Sequence, residues 1–81
     1  MLLLKKNCTI YQCVTIGSTF NDNNKMPKIK SGTIVSTGAK IIADIIIGKN
    51  CIIGANAVVT KSIPDNSVVI GANKIHKRKN I

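Results

Sequence analysis

The sequence from residue 29 to residue 64, written in steps of six, reads IKSGTI VSTGAK IIADII IGKNCI IGANAV VTKSIP. Every step begins with a β-branched aliphatic residue: Ile29, Val35, Ile41, Ile47, Ile53 and Val59. Such residues favour extended backbone, because two heavy atoms on Cβ restrict χ1. A period of six matches neither an α-helix, at about 3.6 residues per turn, nor a single strand with a period of two. It predicts short strands joined by tight corners.

The fifth position of each step is mostly a small residue, as expected where a corner leaves little room. These residues are Thr33, Ala39, Ile45, Cys51, Ala57 and Ile63. Three steps would close one triangular coil, with each aliphatic side chain pointing inward and stacking on its equivalent in the next coil. We therefore predict an all-β fold, a single-stranded parallel β-helix with the six aliphatic residues in its core. A β-sandwich is disfavoured, because its turns recur about every 8–12 residues.

Glycine and asparagine recur near the predicted corners. Gly17, Gly48 and Gly54 directly follow aliphatic positions, and Asn50 and Asn56 occupy turn positions. Both residue types tolerate left-handed backbone. We expect these residues to supply the positive φ angles that the corners need.

The repeat is interrupted once and ends before the C-terminus. A second phase runs upstream through Leu4, Ile10 and Ile16. The polar residues that follow predict a loop over about 19–28 that leaves the prism. Pro64 marks the exit from the last coil, because proline cannot donate to a central ladder, and residues 68–70 predict a closing strand. We thus predict a β-helix over 1–71 and a frayed basic tail over 72–81.

The charge is strongly basic, with 12 Lys and Arg against 3 Asp and Glu, a net charge of +9. This balance predicts an anionic partner, such as a phosphate-rich cofactor, although lysines also protect exposed strand edges. Nucleic acid is disfavoured, because Tyr11 and Phe20 are the only aromatic residues available for stacking. Residues 2–4 are apolar but precede Lys5 and Lys6, the reverse of a signal peptide. We predict a cytoplasmic protein with reduced cysteines and no membrane partner.

Four segments resemble motifs of one enzyme family. Residues 9–17, TIYQCVTIG, resemble the family's TIYQGVTLGG, and residues 26–29, MPKI, resemble HPKI. Residues 36–41, STGAKI, resemble GAGAKI, and residues 53–64, IGANAVVTKSIP, resemble IGAGSVVTKDIP. In this order the set resembles the C-terminal part of serine O-acetyltransferases, over about residues 7–71. The resemblance implies a left-handed β-helix of hexapeptide repeats, assembled as a homotrimer.

The resemblance also implies acetyl transfer from acetyl-CoA to a hydroxyl group of L-serine or a serine-like acceptor, as in cysteine biosynthesis. In the family a His upstream of the TIYQ segment acts as general base on that hydroxyl. The chain begins at Met1, after that position, so no catalytic residue is assigned. Met26 stands in place of the acceptor-binding His of HPKI, and its thioether cannot donate a hydrogen bond to a carboxylate. We expect a fragment that is inactive or weak alone.

The cofactor side of the resemblance is better preserved. In this fold acetyl-CoA lies in a groove between neighbouring prisms, and its thin pantetheine arm needs small residues and open backbone groups. The candidates for that role are Thr37, Gly38, Ala39, Gly54 and Ala55. Thr60 and Lys61 match a TK pair that the family places against the cofactor, where an ammonium group can bind the phosphates. Lys74 matches more loosely the lysine of the family's GVPAK.

The remaining candidates are weaker. His76, the only histidine, lies in the basic tail without a carboxylate nearby in sequence, so we do not expect it to be a catalytic base. Cys8, Cys13 and Cys51 lack zinc-ligand spacing, and we expect Cys8 and Cys51 to pack inward and no metal to bind. Two alternative functions stay open: a sugar or polysaccharide O-acetyltransferase, and a non-catalytic β-helix subunit that joins trimers.

Overall fold

The computed structural model describes residues 3–4, 7–17, 27–42 and 44–78. Every regular element in these ranges is a β-strand. The strands are β1 (Leu3–Leu4), β2 (Thr9–Ile10), β3 (Thr15–Gly17), β4 (Lys28–Ile29), β5 (Ile34–Val35), β6 (Lys40–Ile42), β7 (Ile46–Ile47), β8 (Ile52–Ile53), β9 (Val58–Val59), β10 (Ser67–Ile70) and β11 (Lys74–Lys77). A membrane-spanning helix is not found within these ranges.

The strands form three sheets, which are the sides of a triangular prism. Side 1 contains β1, β4 and β7; side 2 contains β2, β5, β8, β10 and β11; side 3 contains β3, β6 and β9. Neighbouring strands are parallel except for the antiparallel pair β10 and β11. Ile29 pairs with Ile47 and Ile41 pairs with Val59, so each coil consumes three six-residue steps. The predicted parallel β-helix is confirmed.

The core is the column of aliphatic side chains predicted from the repeat. Each of the six residues has 0% exposure. The small-position residues are buried too, from 0% exposure at Ala39 to 6% at Ile45. Val69 in β10 extends the column beyond the hexapeptide register. Because burying one Val or Ile side chain contributes about 1.5–3 kcal/mol, this column can hold the fold without large aromatic residues.

Two corners of the prism are marked by columns of residues with positive φ. The corner between sides 1 and 2 contains Asn7, Gly32, Asn50 and Asn66, with φ of 62°, 76°, 55° and 57°. The corner between sides 2 and 3 contains Cys13, Gly38 and Asn56, with φ of 61°, 76° and 58°. The expectation for Asn50 and Asn56 is therefore confirmed.

The same expectation is wrong for Gly17, Gly48 and Gly54, which do not have positive φ. Two of them are instead sites of close approach between coils. A Cβ on Gly48 would lie 2.5 Å from the Asp65 backbone nitrogen, and one on Gly54 would lie 3.0 Å from the Val69 oxygen. These glycines therefore leave room for the next coil of backbone rather than permitting a left-handed turn.

The basic tail is also different from the prediction, because residues 74–77 form β11 instead of fraying. β11 pairs with β10, and Ile75, opposite Val69, packs against the core. The physical reason is that β10 would otherwise end side 2 with unpaired backbone groups, which β11 satisfies while its lysines stay exposed. Residues 79–81 lie outside the described residues. The predicted boundary at 71/72 between the β-helix and the basic tail stays a prediction.

The loop predicted over about 19–28 falls largely outside the described residues, as does Met26. Lys28 already belongs to β4 and pairs with Ile46. The strand that enters side 1 therefore begins inside the range assigned to the loop.

Candidate cofactor-binding site

The predicted cofactor residues lie mainly at the two borders of side 3. Thr37 and Gly38 form the corner that leads into β6, and Ala55 lies at the same corner in the next coil. Thr60 and Lys61 directly follow β9, at the opposite border. Three residues of extended backbone span about 10 Å, so the two groups bracket one narrow face. This spacing suits an extended ligand lying across the face.

The first border is built from stacked turns. The Gly38 N–H donates to the Gln12 carbonyl oxygen (3.3 Å), and the Asn56 N–H donates to the Thr37 carbonyl oxygen (2.9 Å). The Asn56 side-chain oxygen lies directly against Gly38, where any Cβ would overlap it. Thr37 and Ala55 are exposed, so their short side chains leave this border open to solvent.

Two other predicted residues shape the corner but have few groups left to bind a ligand. Ala39 has 0% exposure, its N–H donates to the Ser36 oxygen (3.2 Å), and its carbonyl accepts from the Thr15 N–H (2.9 Å). The half-buried Gly54 donates its N–H to the Val69 oxygen (2.8 Å). Since these backbone groups are already paired, both residues can define the corner but offer few groups to a ligand.

The second border is held by a residue that the sequence analysis did not single out. The Thr60 N–H donates to Asn73 Oδ1 (2.9 Å), and Asn73 Nδ2 donates to Thr60 Oγ1 (2.8 Å). Asn73 has a φ of 57° and lies in the turn between β10 and β11. The signal in the sequence was that Thr60 directly follows the last strand of side 3, so its N–H needs a hydrogen-bond acceptor from outside the repeat.

The cations near this face are solvent-exposed. Lys61 and Lys74 both stand on the surface, and Lys74 is the chain neighbour of Asn73. Lys40, on side 3 itself, donates from Nζ to the Gly38 carbonyl oxygen (3.3 Å). Asp65 is at a distance from this face, at the corner between sides 1 and 2, where it accepts from the Lys49 N–H (2.8 Å). The face therefore has lysines at both of its borders, and the exposed Asp44, two residues after β6, adds one negative charge at the border that holds Lys61.

His76 is two residues from Lys74 in β11 but is away from the cofactor candidates at the borders of side 3. It lies in β11 on side 2, opposite Val68, and is exposed. Within the described ranges, no group of three or more His, Cys, Asp or Glu residues could hold a metal ion.

The cysteines divide by position in the repeat. Cys51 has 0% exposure and donates from Sγ to the Pro64 oxygen (3.2 Å), and burial raises the pKa of its thiol. Cys8 is half-buried, and its Sγ donates to the Lys30 oxygen (3.1 Å), so inward packing is complete only for Cys51. Cys13 is exposed and takes the left-handed corner position, which explains why glycine suits the equivalent position of the family motif.

Comparison with known proteins shows which proteins the chain is similar to. A family model described as bacterial transferase hexapeptide (six repeats) matches residues 26–61. Serine acetyltransferase of Bacillus pumilus is 42% identical over 66 residues, covering 80% of this chain and 30% of the relative. Serine acetyltransferase of Staphylococcus aureus (strain Mu50) is 44% identical over 66 residues, covering 80% of this chain and 31% of the relative. The chain thus spans less than a third of the length of these relatives.

Solved structures agree with the sequence matches. The crystal structure of Neisseria gonorrhoeae serine acetyltransferase superposes with a TM-score of 0.92 at 32% identity, covering 99% of this chain and 31% of that one. Serine acetyltransferase from Brucella abortus in complex with coenzyme A superposes with a TM-score of 0.85 at 30% identity, covering 98% and 38%. The chain is a left-handed parallel β-helix of hexapeptide repeats that corresponds, in sequence and fold, to part of the serine acetyltransferases.

Proposed function

We propose that the chain is the acetyl-CoA-binding part of a serine O-acetyltransferase-type enzyme. The observation that carries the proposal is the placement of the motif over residues 53–64 in the fold. This motif sets Ala55 at one border of side 3 and Thr60 and Lys61 at the other. A relative that superposes on nearly the whole chain was crystallised with coenzyme A, which supports the same ligand here.

The chemistry of the face suits the two parts of acetyl-CoA. The ammonium groups of Lys61 and Lys74 can make charge-assisted hydrogen bonds to phosphate oxygens. The open corner at Thr37 and Ala55 leaves room for the narrow pantetheine arm. The acetyl group would then pass from the CoA thioester to a hydroxyl of an L-serine-like acceptor, with CoA thiol as the leaving product.

We also propose that a general base must come from a protein segment other than this one. His76 is the only histidine of the sequence and lies on side 2, away from the borders of side 3. General-base catalysis contributes about 10²–10⁴-fold, and its absence would leave the bound acceptor unactivated. The predicted role of position 26 in acceptor binding stays a prediction, as does the cytoplasmic location.

The homotrimer implied by the resemblance is proposed on the character of side 2. Its outer face carries the half-buried aliphatic residues Ile34, Ile52 and Val68, which lie in register. The exposed Ile70 and Tyr11 continue this apolar surface, at 47% and 53% exposure. Outward aliphatic residues on neighbouring strands support contact with another prism. The non-catalytic assembly subunit and the sugar O-acetyltransferase stay alternatives.

Isothermal titration of the purified chain with coenzyme A tests the proposed function. Lys61→Ala should weaken binding by about 1–3 kcal/mol, the usual worth of a hydrogen bond to a charged group. Lys49→Ala is the matched control, because Lys49 is also exposed but lies at the corner between sides 1 and 2. Equal losses in both variants would indicate general charge attraction, and no binding by the parent chain would reject the proposal.

A further inference from the structure

The last strand of side 3 is completed by a turn rather than by another coil. The Val58 N–H donates to the Gly71 oxygen (2.8 Å), and the Asn73 N–H donates to the Val58 oxygen (2.9 Å). Thr60 is the first residue after β9, and its N–H donates to Asn73 Oδ1 (2.9 Å). The side-chain amide of Asn73 therefore takes the place of the backbone carbonyl that a further coil would supply.

The hydrogen-bond partners also fix which way this amide points. A backbone N–H can only donate, so the Asn73 atom that faces Thr60 N must be the oxygen. The amide nitrogen then faces Thr60 Oγ1 at 2.8 Å, and an amide nitrogen can only donate. The Thr60 hydroxyl accepts this bond, so its own proton must point elsewhere. Thr60 is exposed, so that proton is available to an acceptor outside the prism.

We infer that Asn73 is a positioning residue, which holds the Thr60 hydroxyl as a fixed hydrogen-bond donor to an acceptor oxygen of coenzyme A. The inference rests on the proposed function, because it takes side 3 as the CoA-binding face. A phosphate oxygen or a pantetheine carbonyl has the chemistry that this donor requires. Asn73 also anchors the residue directly before Lys61, so the hydroxyl and the ammonium group are presented from one fixed segment.

The competing explanation is that Asn73 only caps the fold. An exposed pair of neutral hydrogen bonds stabilises the fold only modestly, and such a cap would act whether or not Thr60 has a hydroxyl. The two roles are separated by Thr60→Val, which keeps the shape and the backbone N–H but removes the hydroxyl. Thr60→Ser restores the hydroxyl on a smaller side chain.

The test uses calorimetric titration of the full 81-residue chain with coenzyme A, together with thermal denaturation of each variant. Asn73→Gly keeps the positive φ but removes the amide, and it should weaken CoA binding about tenfold. Asn66→Gly is the matched control, since Asn66 has the same φ of 57° at the corner between sides 1 and 2, and its CoA affinity should equal that of the parent. Thr60→Val should weaken binding as much as Asn73→Gly does, and adding Asn73→Gly to it should weaken binding no further. Thr60→Ser should bind nearly as the parent does.

A second variant keeps the experiment decisive if Asn73→Gly unfolds. Asn73→Asp keeps the acceptor for the Thr60 N–H but replaces the amide donor, so the hydroxyl would turn to donate to the carboxylate. It should keep the parent's stability and lose at least tenfold in CoA affinity. The added charge repels the CoA phosphates in either background, so the loss in the Thr60→Val background should be smaller but not absent. Parent-like CoA affinity in the folded Asn73 variants, or an equal loss in the Thr60→Val background, would overturn this inference alone. A parent chain that does not bind CoA would overturn the proposed function and this inference together.

Discussion

Arg78 and Asn50 are 28 residues apart in sequence, yet Arg78 Nη1 donates a hydrogen bond to the Asn50 carbonyl oxygen at 2.9 Å. The Arg78 backbone N–H also donates to the Asn66 carbonyl oxygen, at 2.7 Å. Asn50 and Asn66 belong to the same column of left-handed corner residues. Arg78 thus makes hydrogen bonds to two successive coils at the corner between sides 1 and 2.

Removing the Arg78 side chain should destabilise the fold. Arg78→Ala should lower the free energy of unfolding by about 1–2 kcal/mol, because it removes a hydrogen bond from a charged donor. Lys77→Ala is the matched control, since Lys77 is the exposed neighbour in β11. Urea denaturation followed by circular dichroism measures both. An Arg78→Ala curve that coincides with the parent's would show that the Arg78 side chain contributes nothing measurable to stability.

A charged side chain should destabilise the fold strongly at the inward position of β7 and only slightly at the outward position. Ile47 has 0% exposure, whereas its neighbour Ile46 has 43%. Ile47→Lys should therefore cost several kcal/mol or prevent folding, because the ammonium group would be buried without a partner. Ile46→Lys should change stability by less than about 1 kcal/mol. Thermal melting of the two variants checks this, and similar melting temperatures would mean that the assigned register is wrong.

Cys13 occupies a backbone conformation that a side chain disfavours, with φ of 61°. Cys13→Gly should raise the free energy of unfolding by about 1 kcal/mol, since an L-residue in the left-handed region is strained by about 1–2 kcal/mol and glycine gives part of that back in chain entropy. Cys13→Ala keeps the strain and removes only the thiol, so its stability should stay near the parent's. Urea denaturation in reducing buffer compares the three chains, and a destabilised Cys13→Gly would contradict this account.

The chain alone should not acetylate L-serine at a useful rate. Bound acetyl-CoA is not sufficient, because the acceptor must be held at near-attack distance and lose a proton to a general base. The measurement is CoA thiol release from acetyl-CoA and L-serine, with Staphylococcus aureus serine acetyltransferase as the positive control. Turnover near that of the control, lost in His76→Ala, would show that the histidine on side 2 is catalytic after all.

Much of the fold could be predicted from the repeat because burial in a β-helix is periodic. One aliphatic residue in every six must face inward. The spacing of these residues from Ile29 to Val59 therefore predicted the core, the strand positions and the coil length. The role of Gly54 could not be predicted in this way, since a missing Cβ looks the same in sequence whether a turn or a neighbouring coil requires it. Only the 3.0 Å approach to the Val69 oxygen separates the two.

The candidate site was predictable by motif but not by geometry. Thr60 and Lys61 were predicted from the motif, and their cofactor role stays a prediction, whereas Asn73 was missed because its bonds to Thr60 join segments 13 residues apart. The basic composition of residues 72–81 predicted a frayed tail, which is wrong for residues 74–77, because composition carries no information about the free edge of β10 to which that segment pairs. Thus the sequence alone determined which residues face inward, since each of these positions needs an apolar side chain for burial and the need recurs with the repeat. The closure of the last coil was decided by the tertiary structure, because unpaired backbone groups are satisfied by whichever segment the folded chain brings to them.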